Sequence, residues 1–258
     1  MRHNFVNDIG DYAKYALLRV LCATVRQPPL RLGVIWYLTE HAEHNGDGRR
    51  RPHLSQDGWE QIDPELLAQM RRIESGLRNP DDLHLNLIER SAILPPDTVY
   101  FSKPLPDVLG TTVQRVAQRA EWFARAKQAV ASCNLLFLDP DNGLEVKSVG
   151  LSSRLAGKYV TVSEVTELLA NGSLVILYQH CDRSPWQTQR AKIHDQLVIG
   201  IGQQPFMHSV RFGAFGARAF FCLTTDPDMA KTMDAGLSTL AERMARWDKA
   251  YTFRFEQY

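Results

Sequence analysis

Asp139-Pro140-Asp141-Asn142 follows directly on Leu135-Leu136-Phe137-Leu138 and runs into Gly143. A short unbroken apolar run is the pattern of a strand buried on both faces, as in a parallel sheet packed under helices. Ligands of such sheets collect beyond the carboxyl ends of the strands. Asp139 is thereby delivered to the edge where chemistry is done, while Pro140 stops the ladder and Gly143 permits a sharp reversal. A purely structural turn draws on the same residue types. Two further apolar runs end in polar groups that the same edge would gather. Residues 32–38 lead into Thr39-Glu40-His41, and residues 173–178 lead into Gln179-His180, with Arg183 close behind. Side chains converging from several strand ends make the default ligand pocket.

Several chemistries are open to these groups. Asp139, Asp141 and Glu145 offer the hard oxygens that Mg²⁺ takes, and Glu145-Val146-Lys147 reads as the E-x-K half of a nuclease signature. A metal-dependent nuclease or phosphoesterase is therefore one expectation. Its geometry is strained, since only five residues separate Asp139 from Glu145 and they spell a turn. The segment Glu43-His44-Asn45-Gly46-Asp47-Gly48 can bring backbone close to a ligand through its two glycines, but it is neither G-x-G-x-x-G nor a phosphate loop. Arg49-Arg50-Arg51 is a local basic run that can meet a phosphodiester backbone, or simply a wet surface. His41, His44 and His180 lack the fixed spacing of a metal site, and no serine sits in a G-x-S-x-G elbow. Cys22, Cys133, Cys181 and Cys222 are scattered, which excludes a disulfide scaffold and a C-x-x-C zinc site. No resident metal is expected outside the Mg²⁺ alternative.

These groups need a rigid scaffold to position them. The apolar fraction of 44%, the charged fraction of 23% and the formal charge of +1 are those of an ordinary globular chain with no global pull toward polyanions. Nucleic acid would have to be met through local basic residues. No apolar run reaches the roughly 20 residues needed to cross a bilayer, and Met1-Arg2-His3-Asn4 opens without the apolar core of a secretory signal. No membrane association and a cytoplasmic location are the expectations; oligomeric state is not legible. Periodicity predicts helices over 12–25, 57–75, 81–90, 111–131, 162–170, 186–198 and 228–247. Strands are predicted over 32–38, 98–102, 134–139, 173–179, 209–225 (as one or two) and 251–256. The segment 47–58 reads as the most mobile. This alternation predicts a three-layer α/β fold, Rossmann-like, with a mostly parallel sheet between two helical layers. One domain spanning 1–258 is expected, with a helical insertion around 57–92.

Taken together, these pieces resemble the Rossmann-like S-adenosylmethionine-dependent methyltransferases, and most nearly the J-type large-subunit rRNA adenine-N6 enzymes. That family opens on H/N-x-G-N-x-A-D-x-x-K-H. Asn7-Asp8-Ile9-Gly10-Asp11-Tyr12-Ala13-Lys14-Tyr15 is similar to it, with Lys14 at the lysine and Tyr15 at the histidine that follows. Its first strand ends in Y-L-D-T-H-A, paralleled by Tyr37-Leu38-Thr39-Glu40-His41-Ala42. Its D-P-P-Y/F is paralleled by Asp139-Pro140-Asp141-Asn142. The resemblance implies that Lys14, Tyr15, Thr39, His41 and Glu43 bind S-adenosylmethionine. It further implies that Asp139, Pro140, Asp141 and Asn142 carry catalysis by holding an adenine amine, and that His180 and Arg183 meet the nucleic-acid substrate. The chain departs from the pattern at Thr39, Glu43, Asn45 and Asp141, and no acidic residue closes a second strand to hold ribose hydroxyls. These departures suit a third expectation, a degenerate methyltransferase fold serving as a binding module.

Overall fold

The computed structural model describes residues 2–39, 51–79, 82–106, 110–213, 216–245 and 253–257. The chain opens with α1 (Ile9–Cys22), whose N-cap Asp8 accepts from the Asp11 amide. β1 (Leu32–Trp36) follows. The next stretch holds the one-turn helix α2 (Pro52–Ser55), α3 (Pro64–Gly76), the short α4 (Asn86–Glu89) and β2 (Val99–Phe101). α5 (Thr112–Ala129) is started by a capping box between Thr111 and Gln114 and leads into β3 (Leu135–Asp139). Two short strands, β4 (Gly143–Leu144) and β5 (Tyr159–Val160), form a separate parallel pair that periodicity does not reveal, because two residues carry no period. Then come α6 (Val162–Leu169), β6 (Leu174–His180), α7 (Trp186–Ile201), β7 (Phe206–Phe212), β8 (Arg218–Thr224), α8 (Pro227–Ala245) and β9 (Phe253–Gln257).

Seven strands make one sheet in the order β2-β1-β3-β6-β8-β7-β9. β2, β1, β3 and β6 pair in parallel, while β8 lies antiparallel between β6 and β7, and β9 antiparallel to β7. Five strands thus run in one direction, and the three-layer α/β architecture is the one the alternation predicts. The expected single or double strand over 209–225 is a hairpin. The expected helix over 57–75 begins later, at Pro64, after a separate turn at Trp59–Gln61. The part of the 47–58 segment that is described, from residue 51 onward, includes α2.

Side-chain alternation decides which layer each strand residue meets. Leu32, Val34 and Trp36 of β1, with Leu135 and Phe137 of β3, pack into the core shared with α1, α3 and α8. Ile35, Leu136 and Leu138 point the other way, into the core under α5, α6 and α7. Each fully buried side chain of this size contributes roughly 1.5–3 kcal/mol. Asp139 falls on the same parity as Leu135 and Phe137, so the pleat directs its carboxylate toward α1.

Candidate functional site at the carboxyl edge

β1 is followed in the sheet by β2 on one side and by β3 on the other. The crevice at such a reversal of strand order is where open α/β sheets take ligands. Trp36 of β1 is in register with Asp139 of β3 there.

Asp139 is only 3% exposed, and its Oδ2 accepts from Lys14 Nζ at 2.8 Å. The same ammonium donates to Asp11 Oδ1 at 2.8 Å and lies 5.4 Å from the Trp36 ring centre and 5.7 Å from that of Phe137. Asp11 is held in turn, its Oδ2 accepting from the Asn7 amide at 2.9 Å and from the Tyr15 hydroxyl at 3.2 Å. Asn7 turns into α1 with a left-handed φ of 66°. Burial alone would lower the Lys14 pKa; the two carboxylates reverse this and hold it above the ordinary lysine value. Burial raises the Asp139 pKa, and Lys14 offsets only part of the rise. A buried charge persists in a protein only when paired and hydrogen-bonded, and this cluster meets both conditions.

The turn after β3 is pinned on both sides. The Asn142 amide donates to the Lys158 carbonyl at 2.8 Å, and the Asn142 carbonyl accepts from the His180 amide at 2.9 Å. Pro140 is buried, and Asp141 is ion-paired with Arg2 at 3.3 Å. Gly143 has φ 120°, and a methyl group there would fall 2.1 Å from Gln179 Oε1, the atom that accepts from the Leu144 amide. Glycine at 143 thus serves both the reversal and the close approach of Gln179.

The residues expected to form the site divide clearly. Lys14 and Asp139 are brought into contact across 125 positions of sequence. Tyr15 is fully buried and acts on Asp11. Thr39 is half-buried at the β1 end, its methyl 3.6 Å from where a side chain at Gly157 would begin. His41 and Glu43 lie outside the described residues. His180 is exposed at the end of β6, and Arg183 is exposed just beyond it. Glu145, the third carboxylate of the Mg²⁺ reading, turns away to cap α6, its Oε1 accepting from the Val162 amide at 2.8 Å. Among the described residues no three histidine, cysteine, aspartate or glutamate side chains gather as a metal site.

Two residues of the site were not anticipated. Asp11 holds Lys14; its signal in the sequence is the D-x-x-K spacing, which puts both groups on one helix face. Glu89 was missed because it comes from α4 and not from the end of β2. Its Oε1 accepts from Trp36 Nε1 at 3.1 Å and from the Ser102 hydroxyl just past β2. It therefore sets a carboxylate beside the β1 and β2 ends, where sequence order shows none.

No helix among the described residues is long and apolar enough to cross a membrane. No protein-family model matches this chain. No curated protein matches it either. Among solved structures, the chain is similar to a Legionella pneumophila protein of the DUF519 family, at 10% identity, over 98% of each chain, with a TM-score of 0.49.

Proposed function

We propose that this chain is an S-adenosylmethionine-dependent methyltransferase-like protein acting on an amino group of nucleic acid, with an adenine amine favoured. The observation that carries the reading is the 2.8 Å contact between Lys14 and Asp139. It joins two of the three segments on which the family resemblance rests, and it does so at the reversal point of the sheet. The residues present suit a ligand with ribose hydroxyls and an amino-acid end. Glu89 offers a carboxylate beside β2, and the buried Asn7 Oδ1 is an acceptor without a partner, on the residue whose amide binds Asp11. Thr39 and Glu89 would hold the cofactor, with His41 and Glu43 added from the segment after β1. When bound, S-adenosylmethionine supplies a methyl group made electrophilic by its sulfonium.

An exocyclic amine is a weak nucleophile because its lone pair is delocalised into the ring. Holding it in line at about 3–3.5 Å from the methyl carbon supplies most of the acceleration. Asp139 would accept a hydrogen bond from that amine, with Lys14 fixing the carboxylate's orientation, and the Pro140 carbonyl would accept a second. A flipped or unpaired base is the form of substrate such a site takes.

A second reading has its own observation. Asp139 is almost wholly buried and already engaged by Lys14, which suits a strut in a degenerate fold that binds without transferring. Label transfer from S-adenosylmethionine to RNA or DNA from cells lacking this protein separates the two. Methyl transfer is expected from the wild type, with a loss of at least ~100-fold in Asp139→Asn, a change that keeps the side-chain shape. Equal transfer by that variant would remove Asp139 from the chemistry, and no transfer by the wild type would favour the binding module.

A further inference from the structure

The antiparallel half of the sheet ends on the same rim as Asp139 and carries two arginines that the methyl-transfer reading does not use. Arg218 opens β8 opposite His180 of β6 and Phe212 of β7. Its guanidinium lies 5.8 Å from the Phe212 ring centre, and its buried Nε and Nη1 have no hydrogen-bond partner. Gly10 is its seat: a methyl group there would fall 2.1 Å from Arg218 Nη1 and 2.9 Å from Asp8 Oδ1. Arg211, one residue before the end of β7, faces the other helical layer. It lies 5.9 Å from the Trp186 ring centre and beside the Cys181 thiol, within hydrogen-bonding reach, while its buried Nε has no hydrogen-bond partner. On the side of Arg218 away from β7, at the end of β6, stands the exposed His180, with the exposed Arg183 just beyond it in the chain.

Both arginines are half-buried, and each guanidinium N–H taken from water without a partner is costly. Aromatic rings can hold a cation in place but do not satisfy its N–H groups. The acidic groups nearby do not close the account. Asp182 spends Oδ1 on the Ser184 amide. Asp8, whose Oδ1 accepts from the Asp11 amide, is pushed up to about 6 by burial and by neighbouring Asp11, with Arg218 opposing the rise. Arginine is the side chain whose planar fork matches phosphate oxygens.

We propose that Arg211 and Arg218 flank a phosphate track across the rim of β6, β8 and β7, which seats the backbone of a single-stranded nucleic acid to one side of the base presented to Asp139. The proposal rests on the nucleic-acid part of the proposed function and not on cofactor binding. Phosphates positioned there fix register and carry no sequence information, so the track predicts affinity that is strongly salt-dependent and tolerant of sequence.

Fluorescence anisotropy of labelled single strands of about 12 nucleotides, in RNA and DNA versions, reads this directly. For Arg218→Gln and Arg211→Gln, affinity is expected to fall about ten-fold each, with the slope of log K against log salt shrinking by about one unit per arginine. Thermal melts check that each variant is folded. If glutamine at either site abolishes folding, the lysine versions keep the charge and lose the fork; they are then expected to retain the salt slope while binding more weakly. Unchanged affinity and slope in both folded variants would overturn the track, as would absence of oligonucleotide binding by the wild type. Binding of oligonucleotide without binding of S-adenosylmethionine would leave the track standing and remove methyl transfer. Cofactor binding with variants that hold both oligonucleotides normally would do the reverse.

Discussion

Lys14→Met is expected to lower folding stability by about 3–5 kcal/mol, the usual penalty for removing one member of a buried ion pair and leaving its partner charged. The Lys14 side chain is 4% exposed, and its ammonium is shared between Asp11 and Asp139 at 2.8 Å each. Its loss leaves two carboxylates facing each other in an apolar setting formed by Trp36, Phe137 and Tyr15. Methionine fills the space of the stem, so the loss reports charge more than cavity. The double variant Lys14→Met with Asp139→Asn removes one of the stranded charges and is expected to recover a substantial part of the stability. Urea unfolding of the wild type, both single variants and the double variant gives the coupling energy. Additive effects would show that Lys14 and Asp139 do not act as a unit. Domains of this class have total stabilities of about 5–15 kcal/mol, so the single variant approaches the limit of folding.

Arg119→Ala is expected to cost a similar ~3–5 kcal/mol on the opposite face of the sheet. Arg119 is buried, and it donates from Nε to Glu164 Oε1 and from Nη2 to Glu164 Oε2, both at 2.9 Å. It also donates to the carbonyls of Ala156 at 2.8 Å and Tyr159 at 2.6 Å. Glu164 completes the capping box of α6 through the Thr161 amide and accepts from the Tyr37 hydroxyl at 3.1 Å. One guanidinium therefore ties α5, the start of α6 and the segment before β5 together, directly beneath the turn that follows β3. Truncation strands a buried carboxylate and two carbonyls at once. At about 2–4 °C per kcal/mol for a chain of this size, a fall in melting temperature of roughly 10 °C is expected. Arg119→Lys keeps one charge and loses the fork, and should fall between the two. A drop of 2 °C or less for the alanine variant would show that the network is dispensable.

The scaffold was legible because its signals are local. The apolar runs before Asp139 and along β1, and the periodic stretches over 111–131 and 162–170, each announce an element without reference to the rest. The place of Asp139 at a strand end followed from the same logic. What stayed hidden depends on the third dimension. Glu89 reaches the β2 end from a four-residue helix, and no spacing in the sequence couples it to Trp36. Arg119 lies in a helix whose pattern marks it as surface, and only the fold shows Glu164 beside it. Arg211 and Arg218 look like ordinary alternating strand residues until the hairpin sets them on the rim. Glu145 was misleading in the opposite sense, because proximity in sequence to Asp139 suggested a shared metal where the backbone turns its carboxylate to α6.

Methyl transfer at Asp139 requires that the crevice between β1 and β3 take the cofactor. Isothermal titration of the purified protein with S-adenosylhomocysteine, run beside Glu89→Ala, asks this without needing the substrate. Saturable one-to-one heat from the wild type is predicted, with affinity at least ~10-fold weaker in the variant, the usual scale for losing a hydrogen bond to a charged group. A folded wild type that gives no heat, or a Glu89→Ala variant that binds as tightly as its parent, would contradict the placement of the site.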